Sequence, residues 1–112
     1  MTYLARLPAV AKSDVDSLIE SEKSYKDSWK RRGGVGAFMM LARKWDRLEE
    51  AMTTDVSTEE LGDLSEYDVF NRTEVDPRPE GIIDDIRDLR RYLMLVESEL
   101  LERGITKPEL IE

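Results

Sequence analysis

The sequence predicts an all-α fold: a small bundle of three main helices with short helical segments, working as a dimer. Three observations carry that reading. Apolar residues recur at three- and four-residue steps through three separate stretches. No stretch alternates apolar and polar residues as a half-buried strand would. Glycine and proline punctuation falls at the ends of the periodic stretches. A chain of 112 residues can bury about 65% of its unfolded surface. One domain over 1–112 is therefore expected, and an enclosed site calls for a second subunit.

Ser13-Asp14-Val15-Asp16 reads as an N-terminal cap, followed by Val15, Leu18, Ile19, Glu22, Lys26 and Trp29 at helical spacing. The first helix is expected over about 14–31, ending at Gly33, Gly34 and Gly36. Phe38, Leu41, Ala42, Trp45, Leu48 and Met52 place a second helix at about 36–52. Residues 53–79 hold Thr, Asp, Gly and two prolines without sustained periodicity, which marks an acidic insertion with room for one short helix behind the Ser57-x-x-Glu60 capping box. From Pro79 the series Ile82, Ile83, Ile86, Leu89, Leu93, Val96, Leu100 runs unbroken to Gly104, giving a long third helix with a proline start and a glycine stop. Thr106-x-Pro108-Glu109 suits a terminal turn.

The composition removes whole classes of chemistry. There is no Cys and no His, so disulfide scaffolds, structural zinc, thiol nucleophiles and imidazole relays are excluded. A metal would bind through oxygen, as Mg²⁺ or Mn²⁺ does. No run of 18 apolar residues and no basic start ahead of an apolar core occurs. The expected location is the cytoplasm, with no membrane partner.

The net charge of -8 disfavours nucleic acid as a partner, yet the charge is segregated. Residues 53–80 carry nine acids against Arg72 and Arg78, whereas residues 23–47 hold eight cations against Asp27 and Asp46. Solvated helix faces account for such blocks in general. The sharper reading is a phosphate-facing surface, because Lys30-Arg31-Arg32-Gly33-Gly34-Val35-Gly36 opens a helix whose free amides and dipole favour an anion. The Lys-Ser/Thr ending of a P-loop is absent, and a glycine cluster also makes an ordinary helix–helix turn. Tyr25, Trp29 and Trp45 are candidates to stack on a base, with core packing as the alternative.

Ionisable residues inside an apolar stripe need a reason. On helical wheels Glu22 and Lys26 fall within the first stripe, Glu49 sits between Phe38 and Ala42, and Asp85 lies on a margin of the third with Asp88 one step further out. If those margins converge, Glu22, Glu49, Asp85 and Asp88 would gather and hold Mg²⁺ or Mn²⁺. The alternative is a half-exposed Glu22–Lys26 pair, with the later acids offset by Arg87, Arg90 and Arg91.

Three blocks carry a resemblance: Glu22-Lys23-Ser24-Tyr25-Lys26-Asp27-Ser28-Trp29 with the RGG after it, Ala42-Arg43-Lys44-Trp45-Asp46-Arg47-Leu48-Glu49, and Asp84-Asp85-Ile86-Arg87-Asp88-Leu89-Arg90-Arg91-Tyr92. Over roughly 20–52 and 80–100 the chain resembles the nucleotide modification associated domain 1 family of small helical phage and bacterial proteins. The family pattern has glycine where this chain has Lys26. More distantly, the blocks are similar to the all-α nucleoside triphosphate pyrophosphohydrolases of the MazG and dimeric dUTPase type, which implies Mg²⁺ on acidic helices of a dimer. Asp85-x-x-Asp88 and Asp46-x-x-Glu49 match that pattern thinly, and the full Glu-Glu-x-x-Glu is missing. Binding is thus better supported than hydrolysis.

The expected function is that of a Mg²⁺-dependent nucleotide-binding protein, as a pyrophosphohydrolase in phage or bacterial nucleotide metabolism. Lys26, Lys30, Arg31, Arg32, Tyr25 and Trp29 would bind substrate, Glu22, Glu49, Asp85 and Asp88 the metal, and Glu49 or Glu22 would act as base. The alternatives are a non-catalytic nucleotide binder or sequestering phage protein, and a helical interaction protein using its acidic segment. A homodimer or higher homo-oligomer is expected in each case.

Overall fold

The computed structural model describes residues 2–53, 67–76 and 78–105, and every regular element among them is helical. After a 3₁₀ turn at Tyr3–Arg6 come α1 (Leu7–Tyr25), a second 3₁₀ turn (Ser28–Lys30), α2 (Gly33–Thr53), α3 (Val69–Val75) and α4 (Pro79–Glu102). The all-α reading holds, with three substantial helices and one short one. The Ser57 capping box and the Thr106 turn lie outside the described residues.

α4 matches its expected limits because both ends are chemically marked. Pro79 occupies its first turn, and Asp76 prepares the entry by accepting the Arg78 amide at 2.7 Å. At the far end Gly104 turns left-handed at φ 88°, and the Ile105 amide closes back on the Leu100 carbonyl at 2.9 Å. α3 begins where Asp68 accepts the amides of Phe70 and Asn71 at 3.0 and 3.1 Å, a side-chain N-cap.

α1 departs from expectation at both ends. Asp14 is not a cap: the helix starts seven residues earlier, at Leu7, with Pro8 in its first turn, where a proline is preorganised for helix and its missing N–H costs nothing. The helix stops at Tyr25 rather than near 31, because Lys26 and Asp27 adopt φ values of 45° and 65°. A left-handed lysine carries a steric penalty that glycine avoids. Lys26→Gly is therefore expected to stabilise the fold by about 0.5–1 kcal/mol, read as a rise in Tm.

α2 and α4 form the central pair, with Ala37, Met52 and Ile82 as the buried apolar residues among those described. Ion pairs fix their register. Lys44 Nζ lies 3.1 Å from Asp88 and Arg47 Nη2 3.3 Å from Asp85, pairings that require the two helices to run antiparallel. Lys44 also sits 6.0 Å from the Tyr92 ring centroid, within reach of a cation–π contact. α3 is tied to α2 by Arg72, whose guanidinium reaches the Ala51 carbonyl at 3.4 Å.

α1 joins this pair mainly through a charge cluster. Asp14 is 2% exposed and accepts from Arg90 Nε and Nη2 at 2.5 and 2.8 Å and from Arg91 Nε at 2.9 Å, while Arg91 Nη2 donates to Ser13 Oγ at 3.1 Å. The Arg90 hydrogen bonds, with those of Arg91, hold the Asp14 carboxyl below the usual carboxylate range despite its burial. Apolar contact adds little there, since Val15, Ile19 and Leu93 remain exposed. The Cα radius of gyration is 16.8 Å, against about 13 Å for a compact domain near this length.

Candidate functional site

Beyond the Asp14 contact between α1 and α4, an open cleft of about 910 Å³ remains between α1, the joint of residues 26–32 that links α1 to α2, and the α2–α4 pair. α1 lines it with Leu18, Ser21, Glu22 and Tyr25, the joint with Ser28, Trp29, Arg31 and Arg32, and α2 with Val35, Met39 and Met40. α4 supplies Asp88, Arg91 and Tyr92.

The cleft gathers six of the expected site residues: Glu22, Tyr25, Trp29, Arg31, Arg32 and Asp88. Arg31 and Arg32 are exposed, and among the described residues neither has an ion-pair partner. Arg91, at the same cleft, is committed to Asp14 and Ser13. Among the cations that line the cleft, the unneutralised charge is therefore that of Arg31 and Arg32, at the joint. Gly36 sets the position of Arg32: a Cβ added there would lie 2.7 Å from Arg32 Cβ. Gly36→Ala is expected to displace that arginine and weaken anion binding by about tenfold, the loss of one charge-assisted contact, as measured by titration.

Two expected cations lie elsewhere. Lys30 Nζ pairs with Glu99 at 2.7 Å, which raises the pKa of the lysine and, with Arg103, lowers that of the glutamate. It borders a second, smaller cavity of about 230 Å³ walled by Ala37, Phe38, Leu41 and Leu100, so its evident role is to pin the joint to α4. Lys26 is exposed on the left-handed turn, and the Glu22–Lys26 ion pair, the alternative to an acid cluster, does not form. Glu22 instead accepts the Asp27 amide on Oε2 at 2.9 Å. Trp29 borders both cavities.

The four-acid group does not assemble within the chain. Among the described residues no three carboxylates come together. Glu22 and Asp88 face the cleft, Asp85 is buried against Arg47, and Glu49 is exposed on α2. The reason lies across the α2–α4 contact, where Lys44 and Arg47 stand opposite Asp88 and Asp85. Each acid meets a cation rather than another acid. Asp85 Oδ1 is buried without a hydrogen bond; Arg47 approaches to 3.3 Å, an electrostatic contact outside hydrogen-bonding geometry. Among the described residues the four acids do not form one group.

Sequence reasoning missed Asp14, Arg90 and Arg91 as the cluster that holds the cleft open. Pro8 was the available signal: starting α1 there extends the stripe backwards and places Asp14 within it, one turn before Leu18. Comparison with family models, curated proteins and solved structures returns no match.

Proposed function

We propose that the chain binds a nucleotide in this cleft, as a binding or sequestering protein rather than a catalyst. The observation that carries the reading is the pair Arg31 and Arg32, without ion-pair partners among the described residues, in the lining of the same cleft as Trp29 and Tyr25. Guanidinium forks match phosphate oxygens bidentately, and an indole or phenol face accepts a base.

Hydrolysis of a nucleoside triphosphate is the second reading, favoured by Glu22 and Asp88 reaching one cleft from two different helices. It needs a Mg²⁺ that arrives with the polyphosphate, because no three acids are grouped among the described residues.

A homodimer or higher homo-oligomer is part of the proposal. The large radius of gyration supports it, as do exposed apolar side chains such as Phe38, 68% accessible, and Ile19, 59% accessible. No helix among the described residues is long and apolar enough to cross a membrane, and the proposed place of action is the cytoplasm.

Isothermal titration with ribo- and deoxynucleoside mono-, di- and triphosphates, with and without Mg²⁺, followed by chromatography of each mixture, tests both readings. Saturable heat without new products is the expected result. Monophosphate and pyrophosphate accumulating with Mg²⁺ would establish the hydrolase, and absence of heat with every nucleotide would overturn both.

A further inference from the structure

We propose that Glu22 is a positioning residue whose carboxylate latches the left-handed turn and so carries Arg31 and Arg32 to the cleft; the proposal rests on the nucleotide reading above. Two consecutive non-glycine residues, Lys26 and Asp27, hold positive φ, a conformation that persists only where the surroundings enforce it. Both amides of that turn end on Glu22. The Lys26 N–H donates to the Glu22 carbonyl at 3.0 Å and the Asp27 N–H to Glu22 Oε2 at 2.9 Å. The next links depend on Asp27: its carbonyl accepts the Lys30 amide at 3.1 Å, and Ser28 then accepts the Arg31 amide at 3.2 Å. The direction of the two arginines is thereby built on the Glu22 carboxylate. This accounts for an ionisable residue within the apolar stripe of α1 without assigning it a metal or a proton transfer.

The test compares the full-length chain with Glu22→Ala, Glu22→Gln and the double variant Glu22→Ala/Lys26→Gly, by hydrogen exchange at the Asp27 amide and by nucleotide titration. In Glu22→Ala the Asp27 amide exchanges about tenfold faster and affinity falls about tenfold, the loss of one charge-assisted hydrogen bond. Glutamine keeps an acceptor oxygen at the same reach, so Glu22→Gln holds both quantities within about threefold of wild type. In the double variant glycine adopts positive φ unaided, and most of the affinity returns although the Asp27 amide stays unprotected.

Equal loss in Glu22→Gln and Glu22→Ala would show that the charge acts directly on ligand or metal, and would overturn the latch. An unchanged Glu22→Ala would overturn it as well. If the wild-type chain binds no nucleotide, the functional reading fails, and Asp27 exchange across the four chains still decides the latch.

Discussion

Asp14→Ala lowers the stability of the fold by about 3 kcal/mol, the lower end of the range for breaking a buried ion pair because Arg90 and Arg91 keep some access to water. In a domain of this size that is a fall in Tm of roughly 10–20 °C. The cost is large because Asp14 joins two guanidinium groups that would otherwise repel each other, and because little apolar contact stands behind it on α1. Ligand binding should fail with it, since the cleft exists only while α1 is held against α4. Asp14→Asn separates charge from shape: an amide oxygen in the place of Oδ1 can accept two of the three hydrogen bonds but neutralises neither arginine.

The same cluster fixes a pH dependence. The folded-state pKa of Asp14 is depressed by Arg90 and Arg91, so its contribution is fully present above the unfolded carboxylate value of about 3.9 and is lost as the pH falls below that value through the folded-state pKa. Glu99, depressed by Lys30 and Arg103, adds a change of the same sign at acidic pH. Melting curves between pH 2 and pH 6 should therefore fall less steeply in Asp14→Asn than in wild type, the difference isolating Asp14.

Replacing both Arg31 and Arg32 by alanine is expected to weaken nucleotide binding about hundredfold, at roughly 1.5 kcal/mol for each charge-assisted contact. Both side chains are exposed and lack ion-pair partners among the described residues, so Tm should move little, within about 0.5 kcal/mol of stability. Arg91 provides the contrast. It borders the same cleft but is bound to Asp14 and Ser13, so Arg91→Ala should lower stability and affinity together. A double substitution that costs affinity without stability therefore distinguishes a ligand-facing pair from a structural one.

How far the sequence could be read depended on the kind of information each feature requires. α4 was legible end to end because a proline, an unbroken apolar series and a glycine mark it locally. Arg31 and Arg32 were singled out from a run of cations before a glycine-rich helix start, and the structure places both at the cleft. The limits of α1 were not, since Asp14 has the chemistry of a cap and only its distant partners, Arg90 and Arg91, reveal its role.

The four expected acids are kept apart for a reason the sequence does not display. A helical wheel gives the direction of a side chain about its own axis but neither its height along the bundle nor what stands opposite. Asp85 and Asp88 were placed on the correct margin of α4, and Lys44 and Arg47 were the neighbours the wheel could not show. Glu22 was correctly singled out as an ionisable residue in an apolar stripe. Its hydrogen bond to the Asp27 amide depends on a left-handed turn at Lys26 that the residue types there give little sign of.

Nucleotide binding in the cleft, as proposed, rests on Arg31, Arg32 and Trp29 acting as one surface. The chain has two tryptophans, and Trp45 does not border the cleft, so a Trp45→Phe background leaves Trp29 as the only indole reporter. Titrating that protein with nucleotides should quench Trp29 fluorescence saturably, and adding Arg31→Ala/Arg32→Ala should shift the midpoint about hundredfold higher. Fluorescence that responds to no nucleotide, or a midpoint unmoved by loss of both arginines, would contradict the account.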